Sequence, residues 1–139
     1  MSGAAREQGG TQAAVERLKR RPDFLRAAAS GVAHQARPFK IQMALRGGDE
    51  GPARVGFTVT KKVAGAVGRN RIRRRLREAV RLAGAPLARP GCDYVFIARS
   101  AALTAPFHDL TLQVADGLTR LNEGGGRPRR QKRDKAPAP

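Results

Sequence analysis

Residues 68–81 read GRNRIRRRLREAVR, and seven of these fourteen residues are arginine. A guanidinium group is planar, permanently charged and carries five donors, so a cluster of them can fork onto phosphate oxygens or stack on bases. Groups able to cleave a bond are much scarcer. The acids stand singly apart from Asp49-Glu50, which offers no carboxylate set for two-metal hydrolysis. His108-Asp109 is an adjacent His–acid pair, yet neighbouring side chains on a helix diverge by about 100°. Cys92 is the single cysteine and His34 and His108 the only histidines, so neither an intrachain disulfide nor a zinc ligand set can be drawn. Cys92 is therefore expected in the core, and no catalytic residue and no metal site is assigned.

Charge points the same way. The chain of 139 residues carries a formal net charge of +17, with a pI near 11.8. Residues 61–81 hold nine basic side chains against Glu78, a balance of +8, and residues 124–139 hold six against Asp134, or +5; together these are thirteen of the seventeen charges. Such an excess fits a polyanionic partner whose phosphates release counterions when neutralised. A membrane is the competing polyanion, but no run approaches the roughly 18 apolar residues of a spanning helix, and the start MSGAAREQGG has no apolar signal core. The expected setting is cytoplasmic, without membrane contact.

The elements that must hold the arginines follow from periodicity. Pro22 and Asp23 suit a first helical turn and Gly31 a stop, so a helix is predicted over 22–30. Phe39, Ile41, Met43 and Leu45 alternate with Lys40, Gln42, Ala44 and Arg46, a strand with one apolar face. GGDEGP at 47–52 reads as a turn, and Val55, Phe57 and Val59 alternate with Gly56, Thr58 and Thr60, so a hairpin is expected. DYVFIAR at 93–99 is a third strand, and 32–35 a short edge strand. A last helix should begin near Thr104, with Phe107, Leu110, Val114, Leu118 and Leu121 as its core stripe. One domain over 15–122 is expected, between a disordered tail at 1–14 and a disordered basic tail at 123–139.

A helix begun at Arg69 places Ile72, Leu76, Ala79, Val80 and Ala83 within an arc of about 100°, the width of a core-facing stripe. Arg73, Arg74, Arg77 and Arg81 then fill one flank of that stripe, and Arg71 and Arg75 lie towards the other. Each like-charged pair at i, i+4 costs roughly 0.2–0.5 kcal/mol, and Glu78 is the one local acid. Ordinary solvated faces interleave both signs, so this one calls for external phosphate. Two weaker motifs carry little: Gly65-Ala-Val-Gly68 is a literal G-x-x-G that follows a strand rather than a helix, and Phe57 is a lone aromatic on a core face rather than an RRM stacking platform.

The stretch GFTVTKKVAGAVGRNRIRRRLREAVR, residues 56–81, resembles the signature of the bacterial ribonuclease P protein subunit family: a G-(F/L)-S-V-S-K-K strand end, then R-N-R and a basic helix. Arg17-Leu18, Asp23-Phe24 and the strands at 37–45 and 93–99 lie at matching places, so the resemblance spans about residues 17–122. It implies an α+β fold, a small α/β sandwich of the ribosomal protein S5 domain 2-like type, ordered αβββαβα with a left-handed βαβ crossover.

It also implies a function: an accessory subunit of an RNA-based endoribonuclease, which binds the catalytic RNA subunit and the 5′ leader of precursor tRNA and assists removal of that leader. Carried over by position, Lys61, Lys62, Arg69, Asn70, Arg71, Arg74 and Arg75 would contact the RNA subunit. Phe24, Lys40, Gln42, Thr58, Thr60, Arg73 and Arg77 would line the leader cleft. The protein alone would hold no cofactor and would be a monomer without RNA, while Mg2+ is expected with the RNA subunit. Ala28 and Gln42 stand where family members often carry aromatics, so leader binding should lean on charge more than on stacking.

Overall fold

The computed structural model describes residues 15–46 and 51–124, and the expectations for both tails fall outside them. In chain order the elements are β1 (Val15–Arg17), α1 (Arg21–Ala29), β2 (Ala33–Gln35), β3 (Phe39–Leu45), β4 (Ala53–Thr58), α2 (Ala66–Ala79), β5 (Cys92–Ala98), α3 (Ala101–Thr104) and α4 (Phe107–Asn122). A π-helical turn, Val80–Gly84, continues α2. One sheet runs β1-β4-β5-β3-β2.

Local chemistry accounts for most boundaries. Pro22 occupies the first turn of α1, where a missing N–H is harmless, with Asp23 beside it at the positive end. Gly31 adopts φ 77°, and the Ser30 hydroxyl donates to the Met43 carbonyl at 2.7 Å while accepting from the Val32 amide at 3.1 Å, which turns the chain from α1 into the sheet. Ala105 and Pro106 separate the short α3 from α4, so the last helix begins at Phe107 with Pro106 at its N-cap rather than near Thr104 with Pro106 in its first turn.

The expected hairpin is absent. β3 pairs antiparallel with β5 and β2, and β4 pairs parallel with β5 and β1, so β5 lies between the two strands that sequence order would join. The cause is burial: every residue of β5 except Ile97 is buried, on both faces, and such a strand belongs in the middle of a sheet. β4 and β5 are thus parallel neighbours connected through α2.

The two faces of the sheet carry different loads. On one, Phe39, Ile41, Val55, Tyr94 and Phe96 meet Ile72 and Leu76 of α2 and Leu110, Val114 and Leu118 of α4 in the main core. On the other, α1 covers a smaller cluster of Leu18, Ala27, Ala44 and Val95. Cys92 is buried, as its solitude suggested. Leu45 is the exception to the alternation of β3: at the strand end it stands 65% exposed, beyond the reach of either helix layer.

Candidate nucleic-acid interface

Ile72 and Leu76 are fully buried, and this anchors one stripe of α2 in the core. Burying each is worth roughly 1.5–3 kcal/mol, enough to outweigh the like-charge repulsion along the helix. The rest of the helix surface is cationic. Asn70, Arg71, Arg74 and Arg77 are exposed and Arg73 is half-buried, while Lys61 and Lys62 stand exposed in the turn that follows β4. No carboxylate of the described residues pairs with Lys61, Lys62, Arg71, Arg73, Arg74 or Arg77. Arg81 is the contrast, since it grips Glu78, and that hydrogen bond holds the Glu78 carboxyl below its usual range.

Two arginines of the helix have inward duties. Arg69 is half-buried and donates to the Ala64 carbonyl at 3.0 Å, which pins the turn leading into α2. Arg75 donates to the carbonyls of Ala102 at 2.6 Å and Leu103 at 3.0 Å, and to that of Ala105. Its guanidinium therefore caps the end of α3, and partial burial together with the Arg71 charge pulls its pKa down. Arg75 was expected to face the RNA; three of its five donors are engaged with backbone 27 to 30 residues away, which no local pattern announces.

The second surface lies on the α1 side of the sheet. The register sets Lys40, Ile97 and Thr58 in one row across β3, β5 and β4, and Gln42, Val95 and Gly56 in the next. Phe24 of α1 lies on Gly56, where an added Cβ would come within 2.5 Å of the Phe24 ring. Lys40, Gln42 and Thr58 thus share one face of the sheet with Phe24, and each of the four is half-buried. Ile97, half-buried in the same row, is a floor residue missed from sequence, because β5 is apolar on both faces and shows no alternation.

The other three expected cleft residues lie outside that row. Thr60 is exposed beyond the end of β4. Arg77 lines a groove with Val55 and Phe57, whose side chains point to the sheet face opposite Gly56 and Phe24. Arg73, one turn earlier on the same flank of α2, belongs to that side too, because α2 packs entirely on the main-core face.

A buried ionic knot holds α1 in place and also went unseen in the sequence. Asp93 is fully buried; its Oδ1 accepts from Arg46 at 2.6 Å and Arg54 at 2.8 Å, and its Oδ2 from Arg54 at 2.8 Å and Arg26 at 3.0 Å. Arg26 also pairs with Asp23 at 2.9 Å. Burial pushes the Asp93 carboxyl up, but hydrogen bonds from the three guanidiniums prevail and hold it below the usual value. His108 and Asp109 are both exposed in the first turn of α4. Among the described residues no three His, Cys, Asp or Glu side chains are grouped to share a metal ion, and no helix is long and apolar enough to cross a membrane.

Comparison with known proteins agrees with this geometry. Residues 13–122 match the family model Ribonuclease P. A ribonuclease P protein component of Caulobacter vibrioides is 50% identical over 106 residues, covering 76% of this chain and 70% of that one. One from Brucella suis is 41% identical over 133 residues, covering 88% and 93%. The RNase P protein from Thermotoga maritima superposes with a TM-score of 0.58 at 29% identity, over 76% of this chain and 94% of that one. The Staphylococcus aureus RNase P protein gives 0.56 at 29% identity, over 77% and 92%. The family match thus spans nearly all of the described residues, and the chain belongs to the ribonuclease P protein family.

Proposed function

We propose that this chain binds the RNA subunit of ribonuclease P through the exposed side of α2, and holds the single-stranded 5′ leader of precursor tRNA in the cleft beside α1. The observation that carries the reading is the division of α2: a fully buried Ile72–Leu76 stripe and, opposite it, arginines that have no carboxylate partner among the described residues. Phosphates supply the missing negative charge. Lys61, Lys62, Arg69, Asn70, Arg71 and Arg74 form the contact with the RNA subunit, and Arg73 and Arg77 add charge on the same side of the sheet. Phe24, Lys40, Gln42 and Thr58, with Ile97 as floor, form the leader cleft.

In this reading the chain raises the affinity of the ribonucleoprotein for precursor over mature tRNA. Hydrolysis belongs to the RNA with its Mg2+ ions, and the protein supplies charge and position. It acts in the cytoplasm and is a monomer until it meets RNA. The test is reconstitution: the purified chain is expected to restore cleavage of precursor tRNA by ribonuclease P RNA at low Mg2+, where the RNA alone is inactive. A silent mixture contradicts the proposal.

A further inference from the structure

Between β1, β4 and the end of α2 lies an open groove of about 500 Å³. Its floor is apolar, made by Val15 of the edge strand β1, by Val55 and Phe57 of its neighbour β4, and by Val80 and Ala85 around the π-helical turn. That turn shapes the groove. Gly84 sits against Val114 and Leu118 of α4, where a Cβ would lie 3.0 Å and 3.2 Å from their methyl carbons, so the helix end is drawn towards α4 and away from β1.

The rim is charged, with Arg17, Arg74, Arg77 and Arg81 against Glu16 and Glu78. Glu78 is taken by Arg81, whereas Arg74 and Arg77 have no carboxylate partner among the described residues. An apolar slot with arginines on its lip fits a ligand that is flat and uncharged in the middle and anionic at its edges. A nucleotide has that form: its base presents two apolar faces and its phosphates flank them. The volume lies within the roughly 300–1,000 Å³ of small-ligand sites. The groove is also continuous with the phosphate-binding side of α2, because Arg74 belongs to both.

We propose that this groove receives one unpaired base of the RNA that lies along α2, packed on Phe57, Val55 and Val80, with its flanking phosphates on Arg74 and Arg77. The inference rests on the reading of α2 as the RNA-binding helix and adds to it a site that selects by base extrusion. The groove lies on the sheet face opposite Phe24, so its occupant is distinct from the leader.

Ala85→Leu tests it. Position 85 has helical backbone (φ −53°, ψ −43°), lines the groove and carries no charge, so the larger side chain fills the slot and removes no phosphate contact. Binding to the RNA subunit is expected to weaken roughly tenfold, the worth of a stacked base, with the slope of log K against log salt unchanged. A folded A85L chain that binds like wild type, or one whose salt slope moves, overturns the site.

A second measurement does not depend on the variant folding: ring and methyl NMR signals of the full wild-type chain, titrated with millimolar adenosine 5′-monophosphate and separately with inorganic phosphate. Shifts at Phe57, Val55 and Val80 with the nucleotide alone support the proposal. Equal shifts with both, no shift with either, or contacts from the chain's own residues 1–14 to the groove floor overturn it. Wild-type chain that stimulates cleavage beside an indifferent A85L variant sinks the groove alone, while wild-type chain that fails to stimulate sinks the functional reading beneath it.

Discussion

Phe24 and Gly56 show how one missing side chain shapes a site. With hydrogen at position 56 the Phe24 ring can lie directly on β4; any Cβ there meets the ring at 2.5 Å. The ring is thus half-buried against the sheet and remains partly exposed. A base stacked on an aromatic is worth about 1–3 kcal/mol, so Phe24→Ala is expected to weaken binding of precursor tRNA by the holoenzyme several-fold and leave mature tRNA, which has no leader, nearly unaffected. Equal losses for both RNAs would make Phe24 a packing residue only. The start of α1 was legible in the sequence through Pro22 and Asp23, whereas the role of Phe24 came only from the family resemblance. The inward bonds of Arg75 were not legible because its partners, the carbonyls that close α3, come from a distant part of the chain.

At the scale of elements, alternation in β3 and the 3.6-residue stripes of α2 and α4 were readable, because each element has one wet and one dry side. Strand order was not. β5 is apolar on both faces, so its sequence states that it is buried without stating between which partners, and chain proximity wrongly suggested that β3 and β4 pair. Asp93 at the head of that strand joins α1, β3 and β4 through Arg26, Arg54 and Arg46. Its folded carboxyl titrates below the ordinary value, so its stabilising contribution is present above about pH 4 and is lost as pH falls through the depressed folded pKa. Asp93→Asn is expected to cost about 3 kcal/mol or more, since three guanidiniums lose their shared anion, and to flatten the acid limb of the stability curve. Urea midpoints at pH 7 and at pH 3 measure both effects. A variant as stable as wild type at pH 7 would show the knot to be dispensable for holding α1.

At the scale of the whole molecule the two faces of one sheet differ in charge. The row of half-buried side chains on the α1 face, Lys40, Ile97 and Thr58, includes one lysine, while the α2 side carries the concentrated positive charge. Family membership was readable from one contiguous motif, residues 56–81, but the division of Arg73 and Arg77 from the cleft required the fold, because a helical wheel does not reveal which face of the sheet the helix covers. The proposed binding of RNA phosphates by α2 would release counterions, an effect that salt titration counts directly. Binding of the RNA subunit by the wild-type chain and by Arg71→Ala/Arg74→Ala, measured across a range of salt concentrations, is therefore the most direct test of the central claim. The account predicts weaker binding by the double variant and a log–log salt slope shallower by about two; parallel lines for the two proteins would contradict it.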